Sequence, residues 1–447
     1  MKRSDNQHKF NAFREQFSTF TFEKQSVIIE DGMLKLKFFF HLDEQYHFCP
    51  TMEIPARQFF DWDSIPEAQL QTLAFHIGMV ELVSYWKMAC PKRVEVLPFS
   101  LSEAQKQWWK KLYYNGLGEF FYLNGIICSE TDFMDIETPS NSSFAKVDLP
   151  LQEKVIIPVG GGKDSVVTLE LLRGDLPCTP LIVNPRGATL GCVEMAGYRD
   201  DEVMIVKRTL DPTMLEMNKQ GFLNGHTPFS ALLAFVSILV GFGSGSCYIA
   251  LSNESSANES TVPGTNINHQ YSKSIEFERD FRNYVAENIN DKIQYFSFLR
   301  PLSELQIAYF FAQFKDYHSV FRSCNSGSKT NSWCGKCPKC LFTWIILSPF
   351  LSREQLTDIF GRDLMIDNDL KPIFEELNGT SAVKPFECVG TVEEVRACVD
   401  YMTDKFGTIA ESSPKAESSV LEILQRFNEE NFLPEQFTTI LKSMLYV

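Results

Sequence analysis

The stretch Pro158-Val159-Gly160-Gly161-Gly162-Lys163-Asp164-Ser165 decides the fold, because it joins a predicted buried strand to a predicted helix. Its three consecutive glycines allow the backbone to turn sharply and to approach an anion closely. The start of the following helix offers backbone N–H groups that have no partner within the helix. This order of strand, turn and helix predicts a phosphate-binding loop, although an ordinary glycine-rich turn could have the same sequence.

Short apolar strands alternate with helices on both sides of this loop. The alternation predicts an α/β fold with a doubly wound parallel sheet, whose ligands lie at the carboxyl ends of the strands. We predict strands at 154–159, 180–184, 202–207, 247–252 and 294–299, and helices at 164–172, 227–240, 274–288 and 303–314.

The chain of 447 residues is too long for one ordinary hydrophobic core, and three regions are predicted. Residues 1–145 resemble an α+β domain, a candidate for substrate binding, with a hairpin turn at Asp31-Gly32. Residues 150–345 form the predicted nucleotide-binding domain, and residues 346–447 a mostly helical C-terminal region.

Charge and hydropathy exclude some classes of partner. The chain has 42 Lys and Arg against 57 Asp and Glu, a net charge of −15, which argues against nucleic-acid binding. The most apolar stretch, 229–242, is interrupted by Ser237 and is short for a membrane span, so a buried helix is predicted there. No apolar signal segment follows Met1, and we therefore expect a cytoplasmic protein. The oligomeric state stays open.

Four cysteines form one tight cluster near the end of the predicted nucleotide-binding domain. The cluster consists of Cys324, Cys334, Cys337 and Cys340, and two residues separate each of the last three from the next. Four thiolates without an open position are typical of a structural zinc site. An iron–sulfur cluster is the alternative, since it also takes four cysteines.

The glycine-rich loop resembles the Ser-Gly-Gly-x-Asp-Ser loop of the PP-loop ATP pyrophosphatases, whose fold is HUP-like. Gly161, Gly162, Asp164 and Ser165 match this pattern, whereas Gly160 replaces the first Ser and removes one hydroxyl donor. The resemblance implies that the loop holds the pyrophosphate of ATP and that the acidic residue helps to organise Mg²⁺. With polar residues after two further strands, the expected cofactor-binding residues are Gly160, Gly161, Gly162, Lys163, Asp164, Ser165, Asn184, Ser252, Asn253 and Glu254.

Several segments resemble a narrower family within this superfamily, the UDP-N-acetylmuramoyl-L-alanyl-L-glutamate epimerases of peptidoglycan precursor synthesis. The segments are 73–81, 84–87, 158–165, 184–185, 225–230 and 252–254. The resemblance implies ATP- and Mg²⁺-dependent inversion of the terminal L-Glu of a UDP-linked muramoyl dipeptide to D-Glu. It also implies a carboxyl-adenylate intermediate and the release of AMP and pyrophosphate.

Such an inversion requires a base and an acid on the two faces of the Cα. The candidates lie in loops after predicted strands: His226, His269, Cys192, Glu194 and Lys273. The two histidines rank first because an unperturbed imidazole titrates near neutrality, although His226 could cap a helix and Cys192 could be buried packing. His76, in an apolar helix, is predicted to be a core residue. Arg186, Arg199 and Arg208 could bind a carboxylate or diphosphate, or could simply be solvated.

Three other functions fit parts of the sequence. The cysteine pattern after the loop resembles 7-cyano-7-deazaguanine synthase, a PP-loop ligase that activates a carboxylate, although such a ligase leaves the front domain without a purpose. A tRNA-modifying PP-loop enzyme would need a basic surface, against which the pI of 5.1 argues. A nucleotide-sensing module would bind ATP without turnover.

Overall fold

The computed structural model describes residues 3–57, 60, 62–262, 264–265, 267–381, 383–406 and 414–445. The strands are β1 Thr19–Glu30, β2 Met33–Leu42, β3 Tyr46–Phe48, β4 Thr51–Pro55, β5 Arg93–Val96, β6 Asp135–Glu137, β7 Gln152–Pro158, β8 Cys178–Val183, β9 Met204–Thr209, β10 Ser246–Leu251 and β11 Gln294–Ser297. The helices are α1 Gln7–Gln16, α2 Glu67–Trp86, α3 Glu103–Gly116, α4 Gly118–Asn124, α5 Lys163–Leu171, α6 Gly187–Met195, α7 Thr213–Lys219, α8 Phe229–Ser244, α9 Ile275–Asn288, α10 Glu304–Gln313, α11 Pro338–Leu347, α12 Arg353–Phe360, α13 Lys371–Leu377, α14 Val392–Phe406, α15 Pro414–Leu424 and α16 Glu435–Leu445.

The chain divides into two compact units, each built from separate stretches of sequence. The first unit contains Met1–Ile156, Met204–Ile249 and Ile267–Tyr295. The second unit contains Ile157–Val203, Ala250–Asn266 and Phe296–Val447. The predicted boundaries near residues 145 and 346 stay a prediction. No helix in the described part of the chain is both long and apolar enough to cross a bilayer.

The predicted α/β class is confirmed, but the sheet of the first unit is mixed instead of wholly parallel. Strands β1, β5 and β6 pair parallel, as do β7 and β10. Strand β2 pairs antiparallel with β1, β3 and β4. Strand β9, predicted as part of the parallel sheet, pairs antiparallel with β4, with Met52 opposite Arg208. The sequence did not predict this antiparallel pairing, because an alternation of strands and helices does not reveal pairing with a distant hairpin.

The first hairpin has the turn that its sequence predicts. Asp31 and Gly32 have φ angles of 53° and 68°, and Glu30 pairs with Met33. Positive φ at both central residues is the geometry of a two-residue turn that matches the twist of the strands. Every second residue of β2 is buried, so one face of the hairpin covers the core: Leu34, Leu36, Phe38, Phe40 and Leu42.

Two buried helices, α2 and α8, form the centre of the first unit. The predicted buried helix at 229–242 is confirmed as α8, most of whose side chains are inaccessible. His76 of α2 is fully buried, and its Nδ1 and Nε2 lie 2.7 Å from the Thr72 carbonyl oxygen and 3.1 Å from the Tyr284 hydroxyl. The predicted core histidine is therefore confirmed, and its two polar atoms both have partners.

The imidazole of His76 should make the stability of the protein depend on pH. Burial lowers its pKa to about 4. The unfolded chain therefore binds a proton between about pH 6.5 and pH 4 that the folded chain does not, and the free energy of unfolding falls as the pH falls. The loss is about 3 kcal/mol. We expect His76→Phe to have a shallower slope in denaturant unfolding between pH 7.5 and pH 4.5, and an unchanged slope would contradict this assignment.

Candidate functional site

The predicted glycine-rich loop connects β7 to α5 in the second unit. Gly161 has a φ of 77°, and a Cβ atom there would lie 2.8 Å from the backbone nitrogen of Thr189. A Cβ at Gly162 would lie 2.8 Å from the Ser323 hydroxyl oxygen, whereas a Cβ at Gly160 would meet no atom within 4 Å. The loop therefore packs tightly on its inner side, and its first residue faces open space.

The backbone amides of this loop are available to a ligand. Among the described residues, the N–H groups of Gly160, Gly161 and Gly162 donate no hydrogen bond. The carbonyl of Gly161, in contrast, accepts from the Arg322 amide at 2.7 Å, and that of Gly162 accepts from the Ser165 hydroxyl at 3.0 Å. With its carbonyls engaged and its amides free, the loop has the polarity of an anion-binding site at a helix start.

Lys163 follows the glycines but points inward. The residue is 2% exposed, and its ammonium forms ion pairs with Glu304 and Asp164. Burial alone would lower the pKa of Lys163, but the two carboxylates raise it above its ordinary value. In this arrangement the predicted phosphate ligand Lys163 anchors α5 to α10, and Asp164 keeps a side chain that is one-third exposed at 33%.

Polar residues follow the strands β8 and β10, as predicted. Asn184, after β8, has a φ of 54°, which is rare for a residue other than glycine. After β10, the buried Oγ of Ser252 has no hydrogen-bond partner among the described residues. Asn253 donates to the Ser297 hydroxyl at 3.0 Å, and buried Glu254 accepts from the Ser256 hydroxyl at 3.1 Å. These strand ends supply both engaged and unengaged polar groups.

Two further predicted residues, Cys192 and Glu194, lie on α6. The Cys192 thiol is fully buried, with its sulfur 3.7 Å from the Gly161 carbonyl oxygen. Burial raises the pKa of Cys192 to about 12, so the thiol stays protonated near neutrality. Glu194 is exposed on the same helix. The structure thus places Cys192 as packing beneath the loop and Glu194 at the surface.

The four clustered cysteines converge in the second unit. The Sγ atoms of Cys324 and Cys337 are 3.7 Å apart, those of Cys334 and Cys340 3.7 Å, and those of Cys337 and Cys340 3.5 Å. A tetrahedral zinc with bonds of about 2.3 Å has ligand separations of about 3.8 Å. The Gly327 amide also donates to the Cys324 sulfur at 3.1 Å. The thiols are thus spaced for a single four-coordinate ion, whereas a multi-iron cluster would hold them on different metal atoms, further apart.

Two predicted histidines of the first unit meet at a buried carboxylate. The Nδ1 of His269 is 2.5 Å from Glu119 Oε2, and the Nδ1 of His226 is 3.6 Å from the same oxygen. The two imidazole centroids are 4.6 Å apart. The three ligand atoms lie close enough together to hold a metal ion or to share a proton. Glu119 was not predicted, because it lies on α4 without a motif around it.

Positive charge surrounds this cluster. The pKa of His226 is lowered to about 4, chiefly by burial and next by the neighbouring His269. Glu119 opposes this shift, and Lys87 and Lys273 add to it. Lys87, at the end of α2, is 6% exposed and donates to the Gly225 carbonyl oxygen. Burial and the neighbouring Arg208 lower the pKa of Lys87 to about 8. Near pH 7 the cluster therefore combines a neutral imidazole with an ammonium group.

The three predicted arginines differ in their surroundings. Arg208 forms a bidentate ion pair with buried Glu81, with Nη2 2.7 Å from Oε2. Arg186 donates to the Ser328 hydroxyl, and exposed Arg199 pairs with Asp201 and Glu202. A small cavity beside Arg208 is lined by Val80, Ser84, Arg208, Thr227, Pro228, Phe229 and Leu232. Arg208 thus lies in the same unit as the histidine cluster, and its cavity is also lined by Thr227, the residue after His226.

Comparison with known proteins identifies relatives over most of the sequence. The MurL N-terminal domain matches residues 11–298, and the MurL C-terminal domain matches residues 320–428. The protein named UDP-N-acetyl-alpha-D-muramoyl-L-alanyl-L-glutamate epimerase from Xanthomonas oryzae pv. oryzae is 32% identical over 401 residues, which are 88% of this chain and 87% of that protein. Proteins of the same name from Micromonospora sp. and Salinispora tropica are 37% and 36% identical, covering 71% and 73% of this chain and 72% of each relative. No solved structure matches the chain.

The ion pair beneath the glycine loop leads to a stability prediction. Glu304→Gln would leave the buried Lys163 ammonium without its most buried partner, and losing one member of such a pair costs about 3–5 kcal/mol. The matched control is Glu393→Gln, which breaks an exposed pair with Arg426 and should cost less than about 1 kcal/mol. Denaturant unfolding of the two variants would measure both losses. Equal losses would show that Glu304 does not hold a buried charge.

Proposed function

Because the chain belongs to the MurL family, we propose that it inverts the terminal L-Glu of UDP-N-acetylmuramoyl-L-Ala-L-Glu to D-Glu in peptidoglycan precursor synthesis. The reaction would consume ATP, require Mg²⁺, and release AMP and pyrophosphate through a carboxyl-adenylate. The named relatives support the substrate and the inversion. The glycine-rich loop of the second unit supports the use of ATP.

The observation that carries the ATP proposal is the row of amides at Gly160, Gly161 and Gly162, which have no partner among the described residues. They precede the first turn of α5, whose own N–H groups lack partners within the helix. Both features suit a phosphate chain. We assign Asp164 and Ser165 to the same ligand, Asp164 to organise Mg²⁺ and Ser165 to the phosphate. Lys163 would not contact the phosphates in this arrangement but would hold the Asp164 carboxylate in place through their ion pair.

Further contacts to the nucleotide are proposed at the ends of β8 and β10. Asn184 has a positive φ, a backbone conformation that is enriched at ligand-binding sites. The buried and unpartnered Oγ of Ser252 is a group that a ligand would satisfy. Asn253 and Glu254 complete this set.

Activation by ATP answers the main chemical difficulty of the inversion. A Cα–H next to an ionised carboxylate is a very weak acid, because its removal places a carbanion beside an anion. Transfer of AMP to the carboxylate removes that charge and makes an acyl group whose enolate can be stabilised by donors. A base then removes the proton from one face, and an acid returns one to the other face. Hydrolysis of the acyl-adenylate releases the product.

Among the residues predicted for proton transfer, His226 and His269 have the best-suited environment. Their shared carboxylate, Glu119, would orient the imidazoles and stabilise the protonated form of either one. Lys273 contributes positive charge beside His226. Cys192 and Glu194, placed on α6 as packing and at the surface, have surroundings that suit proton transfer less well. We therefore propose that the histidine cluster of the first unit handles the Cα proton.

We also propose that Cys324, Cys334, Cys337 and Cys340 hold one structural zinc ion. All four positions of a tetrahedral ion would be filled by thiolates, so no position remains for a substrate. Its contribution would be to fold the segment 324–340 and not to take part in the reaction.

The reaction itself is the first test. With UDP-N-acetylmuramoyl-L-Ala-L-Glu, ATP and Mg²⁺ in D₂O, AMP should form and the glutamate Cα should acquire deuterium as D-Glu appears. Deuterium enters because the base that takes the proton can exchange it with solvent. Without ATP neither event should occur. AMP formation with retained hydrogen and configuration would instead indicate a ligase that activates carboxylates, and free L-Glu as an equal substrate would argue against a dipeptide-binding role for the N-terminal region.

Loop variants connect this reaction to the proposed site. Asp164→Ala and Ser165→Ala should each abolish AMP formation while far-ultraviolet circular dichroism stays unchanged. Asp175→Ala, in an exposed turn shortly after α5, is the matched control and should keep full activity. Normal turnover in both loop variants would exclude the loop as the ATP site.

Metal analysis tests the zinc proposal. The purified protein should contain about one zinc per chain and little iron. Cys337→Ser should lose the metal and lower the melting temperature, because a closed metal site contributes its binding free energy to folding. Cys178→Ser, a half-buried thiol outside the cluster, is the control and should keep the zinc. A metal-free wild type would refute the assignment, as would iron with absorbance in the visible range.

A further inference from the structure

The two histidines of the first unit lie too close together to serve opposite faces of a carbon atom. Their ring centroids are 4.6 Å apart, and the Nδ1 atoms of both are directed at one oxygen of Glu119. Reacting atoms are about 3–3.5 Å apart, so an acid and a base on opposite faces need about 6–7 Å between them, with the carbon in the gap. The two ring centroids are closer together than this, and both Nδ1 atoms share one carboxylate oxygen. His226 and His269 therefore act from one side.

Within this cluster the two imidazoles have different positions. The His269 side chain is 13% exposed and hydrogen-bonded to Glu119, whereas that of His226 is 30% exposed and 3.6 Å from the carboxylate. His226 is thus the imidazole that a substrate reaches first. His269 and Glu119 form the pair that orients it, with Glu119 compensating the charge that His226 gains on taking a proton.

A buried lysine lies beside the cluster without a carboxylate partner. Lys87 is 6% exposed, and its ammonium donates to the carbonyl of Gly225, the residue before His226. Among the described residues no Asp or Glu lies within salt-bridge distance of Lys87, although Arg208 next to it has Glu81. A buried lysine is normally paired, and an unpaired one with a lowered pKa is typical of acid–base chemistry. Lys87 also belongs to the segment 84–87, which the sequence comparison singled out without giving it a role.

We propose that Lys87 is the proton-transfer residue for the face of the glutamate Cα opposite to His226, an inference that rests on the epimerisation proposed above. Neutral His226 takes the proton of L-Glu, and the electron pair of the C–H bond passes into the enolate of the activated acyl group. The Lys87 ammonium then gives a proton to the other face and becomes an amine. One proton moves from Lys87 to His226, and exchange with solvent restores both groups.

Deuterium exchange separates the two faces. In D₂O with ATP, Lys87→Met should still form AMP and should place deuterium at Cα of L-Glu, because His226 removes the proton and returns one to the same face. Inversion to D-Glu should fall at least about 100-fold. Lys87→Arg should behave in the same way, since a guanidinium keeps the charge but does not release its proton. His226→Asn should form AMP without any exchange.

Rescue and control variants guard against a structural effect. Ethylamine should restore inversion to Lys87→Ala, and Lys92→Met, an exposed lysine after α2, should retain full activity. The proposal is overturned if Lys87→Arg inverts at the wild-type rate, which would make Lys87 an anion-binding residue. It is also overturned if Lys87→Met loses AMP formation or gives no deuterated L-Glu. A wild type that forms AMP without inversion would instead refute the proposed function itself, so the two failures are distinguishable.

Discussion

The Lys163 ammonium lies beneath the glycine loop between Glu304 and Asp164, and this buried ion pair fixes the end of the second unit for which we propose phosphate binding. A charge that is withdrawn from water costs free energy unless it is paired. The pair between Lys163 of α5 and Glu304 of α10 therefore fixes the position of these two helices relative to each other. The backbone amides of the three glycines above this ion pair donate no hydrogen bond within the described part of the chain, so they stay available to a ligand. A rigid base under an open loop is the condition for binding an anion without reorganisation of the site.

The first unit uses buried charge in a different way. Glu81 and Arg208 neutralise each other, whereas Lys87 is buried and has no carboxylate within salt-bridge distance among the described residues, and the partly exposed His226 shares Glu119 with His269. Such groups are costly in the absence of a ligand, and their protonation states are held away from the ordinary ones by burial. Arg208 is paired and supports the fold, whereas Lys87 has no carboxylate partner and is proposed to act on the substrate. Pairing thus separates the structural residues from the proposed catalytic ones. In both units the same desolvation penalty decides which role a charged side chain can take.

Local sequence signals were sufficient for much of the fold. The Asp31-Gly32 turn occurs as predicted, since it depends on residues that are adjacent in sequence. The capping box at Ser102 and Gln105 and the left-handed Gly361 after α12 depend on equally local signals. The cysteine cluster converged for the same reason. Pairing of β4 with β9 could not be predicted, because their alternation of side chains does not specify a partner. The role of Glu119 could not be predicted for a related reason. A single glutamate on a short helix belongs to no sequence motif, and its partners His226 and His269 are far away in the sequence.

The close approach of the four cysteine sulfur atoms makes the protein sensitive to oxidation. Two thiols at 3.5 Å need only a small movement to form a disulfide bond, and Cys337 and Cys340 are at that separation. A bound ion would shield these sulfurs, whereas a chain that had lost its ion would be open to oxidants at its most crowded point. A disulfide bond between Cys337 and Cys340 would then take two of the four thiolates from the site and prevent the ion from binding again. A protein that had been exposed to peroxide in its metal-free state would thus stay oxidised and without its metal after the peroxide was removed.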